Sequence, residues 1–313
     1  MSISTSPMVA ASRREMLLAR AAAYCELSKP RIAALVLVVV AVSAFVGSSV
    51  ALSEPAQPWI WVNTLIGTLL IATSAGAFNQ AIERGRDALM ERTIERPLPT
   101  GRLHLSEVVT FGFITLAAGF IYLFTLVNAL TALLGALTWF SYVGIYTPLK
   151  SRTSANTAIG AVAGAMPVLI GWAAVGGSFS LADGPMSGGL RVGALFLIVY
   201  LWQFPHFMAI AWIYRQQYAA AGMKMLTVVE PTGRRAGAQA ILAALALVPV
   251  SLLAGTDTLR ISYVAGALML GIAYFAASAW YCWRRDERSA RTLLQVSLVY
   301  LPGLLALLVV SSV

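Results

Sequence analysis

Charge is what this sequence has least of. Only 11% of its 313 residues are charged, against about 25% in an average soluble domain. That shortage excludes a soluble enzyme, a nucleic-acid-binding module and a disordered regulator, despite a net charge of +9. Cysteine occurs twice, at Cys25 and Cys282, with no CxxC or Cys/His spacing. A disulfide framework and a thiolate metal site are therefore not expected, and each cysteine reads as a small apolar filler. What the chain has in quantity is apolar surface. Hydrophobic residues make up 59% of it, and a mean hydropathy of +0.78 over this length exceeds what one anchor helix on a soluble body would give.

A bilayer core takes about 20 consecutive apolar residues per helix. On that criterion the sequence predicts nine spans: 32–52, 59–81, 106–126, 129–146, 157–175, 190–213, 236–254, 261–282 and 292–310. The shortest connection is Val127-Asn128, between the third and fourth. No strand-period alternation suggests a barrel. The fold class is thus all-α and polytopic. Nine spans place the N-terminal segment and the connections after spans 2, 4, 6 and 8 on one side, and 20 of the 22 Lys and Arg residues fall there; only Arg191 and Arg260 do not. By the bias of basic residues toward the cytoplasmic side, the N-terminus is inside and the C-terminus outside. Topology thus accounts for the basic charge, and no nucleic-acid partner is expected.

Residues 1–28 read as a cytoplasmic tail and 29–313 as one membrane domain. The tail is polar and lacks an apolar h-region, so it is not a secretory signal. Glu15 and the short length favour a bacterial tail over a mitochondrial transit peptide, which points to a bacterial cell inner membrane.

Two inside connections look like more than topology. After span 2 no proline interrupts 79–91, so the span is expected to continue as a helix. Asn79, Glu83, Asp87 and Glu91 then recur every fourth residue along one face. Like charges one turn apart destabilise a helix unless a cation neutralises them. Oxygen-only donors favour a hard ion such as Mg²⁺, which completes its shell with water and substrate phosphate. Arg84, Arg92 and Arg96 stand beside the row, and guanidinium groups match phosphate oxygens. A solvated face of Glu–Arg pairs would explain the same charges; Asn79, inside the membrane boundary, argues against it. After span 6, Pro231-Thr232-Gly233-Arg234 repeats Pro99-Thr100-Gly101-Arg102, a faint hint of internal duplication.

Asn79-x-x-x-Glu83-Arg84-x-x-Asp87-x-x-Met90-x-Arg92-Thr93-x-x-Arg96-Pro97 resembles the first acidic motif of the UbiA-type intramembrane prenyltransferases. Three further stretches resemble one branch, the protohaem IX farnesyltransferases, or haem O synthases. They are Lys29-Pro30-Arg31; Tyr146-Thr-Pro-Leu-Lys150 through Asn156, with Gly160, Gly164, Pro167, Gly171 and Trp172 after it; and Trp202-Gln-Phe-Pro205-His206-Phe207, with Gly222-Met-Lys-Met225-Leu226 beyond. At one place the pattern departs. Gln216 and Gln217 stand where the superfamily carries a second acidic motif, leaving only neutral oxygens there.

The resemblance implies transfer of the farnesyl group of farnesyl diphosphate to a vinyl group of protohaem IX, with Mg²⁺ as cofactor. Asn79, Glu83 and Asp87 are then the metal ligands and, with Lys150 and Tyr146, the catalytic set. Arg31, Arg84, Arg92, Arg96, Lys150 and Arg215 are the expected diphosphate-binding residues. Tyr146 and Tyr214 lie near the boundary and are candidates for shielding an allylic cation. It also implies association with haem A synthase or terminal oxidase assembly, besides the lipid bilayer.

His206 is the one histidine within a span. It reads either as a neutral group hydrogen-bonded between helices or as a haem-binding residue; His104 reads as interfacial. The stripe of Gly160, Gly164, Ala165 and Gly171 reads as close helix packing. Two alternatives remain open: a prenyltransferase acting on a quinone precursor or chlorophyll-type ring, and a transporter or channel. A transporter would carry ionisable groups at mid-membrane, whereas here they gather at the inner rim.

Overall fold

The computed structural model describes residues 13–51, 57–182, 188–255 and 260–312. Leu52, expected in span 1, and residues 1–12 of the expected tail lie outside these. Among the described residues the structure is helical, with no strand. Among those residues nine helices are long and apolar enough to cross a membrane. The membrane helices are α2 (Pro30–Ala51), α3 (Pro58–Asp87), α4 (Leu105–Leu126), α5 (Ala129–Trp139) with its continuation, α7 (Asn156–Ala174), α8 (Gly188–Ile213), α11 (Arg234–Leu253), α12 (Ile261–Arg284) and α13 (Glu287–Ser312). Each corresponds to one expected span. Before them lies α1 (Arg13–Leu27), and between them the short α6 (Thr147–Leu149), α9 (Arg215–Ala220) and α10 (Leu226–Val229).

Helix α8 sits at the centre, buried against α2, α7, α11 and α13. Trp172, Ile198, Met208, Leu247, Tyr274 and Leu304 fill the core there. Around it, α4 presents exposed Phe113, Ile114, Ile121 and Phe124, a stripe suited to an apolar surround such as lipid. The small-residue stripe of α7 is a packing device, as expected. A Cβ at Gly164 would meet the Gln203 Oε1 atom at 2.1 Å, and one at Gly171 the Val40 carbonyl oxygen at 2.2 Å.

The two-residue connection at Val127-Asn128 works because Asn128 caps α5. Its Oδ1 accepts from the Thr131 amide at 2.8 Å, and its Nδ2 donates to the Ala173 carbonyl at 2.9 Å. Downstream, α5 runs into a π-helical segment, Phe140–Tyr146, before α6 ends the span. Hydropathy carries no sign of this extra turn.

One expectation needs correction. Helix α3 ends at Asp87, one turn short of Glu91. The chain then forms a series of turns over 88–104, held by Thr93 Oγ1 donating to the Asp87 carbonyl at 2.9 Å, so Glu91 leaves the row and is exposed. Within the expected tail, residues 13–27 form a helix that packs Ala23 and Leu27 against Ala77 and Ala81 of α3. Both Pro-Thr-Gly-Arg turns put their glycine in the left-handed region, at φ 71° for Gly101 and for Gly233. The repeated sequence therefore encodes a repeated turn.

The two large connections meet. Met90 is buried among Ala211, Tyr218, Ala221, Met223 and Met225. The start of α1–α2, the 88–104 turns, the end of α6 and the α9–α10 region consequently share one face of the bundle.

Candidate active site

On α3, residues 79, 83 and 87 lie one turn apart, and all three are buried. Each meets a different partner from a different element. Lys29, at the α1–α2 junction, donates from Nζ to Asn79 Oδ1, while Asn79 Nδ2 donates to Thr147 Oγ1 at 3.2 Å. Lys150, just past α6, places its Nζ 2.8 Å from Glu83 Oε1. At that distance the contact is a charge-assisted pair. Arg96, in the 88–104 turns, donates from Nη1 to Asp87 Oδ2 at 2.7 Å.

The other Asp87 oxygen, Oδ1, is buried with no hydrogen-bond partner. Such an orphan is costly in a finished structure and natural in a site awaiting a ligand. Two carboxylates against three cations leave the cluster one unit positive, which suits an incoming anion.

The π-helical segment sets the rings beside this cluster. Tyr142 and Tyr146 lie with ring centroids 5.4 Å apart, and Lys150 Nζ sits 4.7 Å from the Tyr146 centroid. Gly160 makes room for Tyr146, since a Cβ there would meet the ring at 2.5 Å. Lys150 is held from behind by its carbonyl, which accepts from the Lys224 amide at 2.7 Å. Burial opposes its charge, but Tyr146, Glu83 and Tyr142 outweigh that and hold its proton above the ordinary lysine value. Lys29 moves the other way. Burial pushes it below the lysine norm, with Arg96 and Lys150 adding to the effect and Tyr142 and Glu83 opposing it.

The structure thus brings together Asn79, Glu83, Asp87, Lys150, Tyr146 and Arg96, and leaves other expected residues elsewhere. Arg31 is exposed. Arg84 is exposed too and donates to the Ala81 carbonyl of its own helix. Arg92 engages the start of α9 instead, 5.0 Å from the Tyr214 ring centroid, with its amide donating to Gln217 Oε1 at 3.3 Å. Gln217 is thereby engaged, and Gln216 is exposed. Arg215 rests on Trp212, 4.6 Å from the ring centroid. His206 stacks on Trp202 at 4.7 Å, and its Nδ1 lies 2.8 Å from Ser297 Oγ on α13. That is the interhelical hydrogen bond of the first reading.

Sequence reasoning passed over Lys29, Tyr142 and Thr147. Lys29 stands in the Lys-Pro-Arg stretch that carries the resemblance, but of that stretch only Arg31 was expected to bind diphosphate. Tyr142 is placed by the π turn and had no signal in the sequence.

Among the described residues no group of three or more His, Cys, Asp or Glu side chains gathers to hold a metal. The donors present are two carboxylates and an amide oxygen, with one buried oxygen unpaired. That set fits a hard cation such as Mg²⁺ arriving with phosphate oxygens and water to complete its shell, and it does not fit zinc.

A membrane bundle of nine helices with an acidic row and clustered cations at one rim defines a class. The chain belongs to the UbiA prenyltransferase family, whose model matches residues 40–300. It is 40% identical over 292 residues to the protohaem IX farnesyltransferase of Solibacter usitatus (strain Ellin6076), covering 89% of this chain and 94% of that protein. The fold matches a structure of digeranylgeranylglyceryl phosphate synthase with a TM-score of 0.73, covering 94% and 98% of the two chains at 14% identity. A UbiA homologue from Archaeoglobus fulgidus bound to DMAPP and Mg²⁺ gives a TM-score of 0.63, covering 91% and 98% at 16% identity. At such identities the two structures establish a common fold. The chain is an integral membrane prenyltransferase.

Proposed function

We propose that this protein transfers the farnesyl group of farnesyl diphosphate to a vinyl group of protohaem IX to make haem O, at the cytoplasmic face of a bacterial inner membrane. The observation that carries the reading is the convergence on one face of α3 of cations from three separate elements, Lys29, Arg96 and Lys150, around an unpaired Asp87 oxygen. Identity to a protohaem IX farnesyltransferase over most of both chains supports the choice of substrates. The bias of basic residues toward that face supports the orientation.

Asn79, Glu83 and Asp87 would hold Mg²⁺, which supplies Lewis-acid neutralisation of the leaving diphosphate. Lys150 and Arg96 are positioned to pass from their carboxylates to diphosphate oxygens as negative charge develops. When the farnesyl C1–oxygen bond breaks, the electron pair leaves with the diphosphate. The vinyl terminal carbon of the haem supplies the electrons for the new carbon–carbon bond. Water then adds at the adjacent carbon and releases a proton, giving a hydroxyethylfarnesyl side chain.

Bulk water must be kept from the allylic cation until that bond forms. The 88–104 turns, anchored by Thr93 and by buried Met90 and joined to the row through Arg96, would serve to cover the site. The Tyr146 and Tyr214 rings each face a side-chain cation already, Lys150 and Arg92, so either would first have to release it to shield the allylic one. His206 has Nδ1 committed to Ser297, which leaves Nε2 as the nitrogen a haem would address.

Purified protein incubated with protohaem IX, farnesyl diphosphate and Mg²⁺ should yield a farnesylated, hydrated haem by mass spectrometry. Inert haem together with prenylation of a quinone precursor or a chlorophyll-type ring would reassign the acceptor.

A further inference from the structure

Lys29 lies outside the residues matched by the family model, and its backbone is unusual. Its φ is +50°, one of two non-glycine residues among those described with positive φ. A side chain in that region strains the backbone, and glycine would relieve it. The position is nevertheless held from both sides. The Lys29 amide donates to the Glu26 carbonyl at 3.2 Å, and its carbonyl accepts from Ile32 and Ala33 at 2.9 and 3.0 Å, starting α2.

The preceding helix is locked to α3. Leu27 is fully buried, and a Cβ at Gly76 would lie 2.4 Å from the Leu27 carbonyl oxygen. Gln80 Nε2 donates to the Glu26 carbonyl at 3.3 Å. Gly76 and Gln80 flank Asn79 along α3, so the docking of α1 fixes where Lys29 points. Its ammonium takes Asn79 Oδ1, the oxygen a metal would need.

We propose that α1 and Lys29 are a working part of the active site: Lys29 occupies the metal's amide ligand while the site is empty and passes to the diphosphate when metal and diphosphate bind together. Metal and diphosphate then bind synergistically. Metal alone must displace the ammonium from Asn79 without bringing an anion to receive it, whereas metal diphosphate supplies that anion. The inference rests on the metal-diphosphate reading of this site, and it is independent of the acceptor.

The test uses the full chain, Mn²⁺ as a spectroscopic probe for metal alone, and inorganic diphosphate with Mn²⁺ for the pair. Replacing Lys29→Met should weaken diphosphate binding in the presence of metal about tenfold or more, the loss of one charge-assisted hydrogen bond. Mn²⁺ alone should bind Lys29→Met at least as tightly as the native protein, because its competitor for Asn79 is gone. Lys29→Arg should retain most of the diphosphate affinity. These opposite signs distinguish the proposal from a structural role. Parallel weakening of both ligands in Lys29→Met, or unchanged diphosphate affinity, would overturn it. Failure of the native protein to bind Mn²⁺ and diphosphate together would overturn the proposed function itself.

Discussion

Asp87 and Arg96 illustrate how much a single residue's role depends on where a helix stops. The every-fourth spacing of Asn79, Glu83 and Asp87 is legible in the sequence because a helix converts spacing into a shared face. Which arginine serves the row is not, since that depends on turns with no periodicity. Arg84 follows Glu83 directly and so points off the face, while Arg96 returns from the turns to Asp87 at 2.7 Å. The Asp87 side chain is 1% exposed and that of Arg96 20%, so removing the cation strands a buried carboxylate. Arg96→Leu should destabilise the protein by about 3 kcal/mol, and adding Asp87→Asn should restore most of it. Arg84→Ala should stay within about 0.5 kcal/mol of the native protein. Unfolding in detergent reads all three, and equal stability of Arg96→Leu and Arg84→Ala would mean the pair is not formed.

At the scale of elements, the spans were legible from hydropathy, and so was the short Val127-Asn128 connection. Two features escaped. The π-helical segment at Phe140–Tyr146 is a hydrogen-bond shift inside an apolar run, invisible to composition, yet it carries both tyrosines beside the acidic row. Helix α1 reads as a tail because it is too polar to span, although it docks through Ala23 and Leu27 onto Ala77 and Ala81. The glycine stripe of α7 was read correctly as packing, and the structure adds what it packs against. At Gly160 that is the ring of Tyr146, which itself bears Lys150. Gly160→Ala should therefore push Tyr146 aside and raise the KM for farnesyl diphosphate about tenfold or more. Gly193→Ala in α8, where a Cβ would meet nothing within 4 Å, should leave it unchanged. If both variants keep native kinetics, Tyr146 does not position Lys150.

For the whole molecule, scarcity of charge was the most informative property. Spread at random, 11% charged residues would describe any membrane bundle. Here they are sorted: the basic residues mark one face, and the acids of α3 lie at that face within reach of Lys29, Arg96 and Lys150. The nine-helix architecture follows from hydropathy and could serve a transporter equally well. The buried row, its cations and the unpaired oxygen of Asp87 are what favour the proposed site for an allylic diphosphate over a transport path. If this row drives farnesyl transfer, Asp87→Asn should abolish it. The variant keeps the volume of the side chain and removes its charge. Membranes containing equal amounts of native and Asp87→Asn protein are supplied with protohaem IX, farnesyl diphosphate and Mg²⁺, and haem products are measured by mass spectrometry. Haem O is expected from the native protein and essentially none from Asp87→Asn. Equal product from the two would contradict that role for the row.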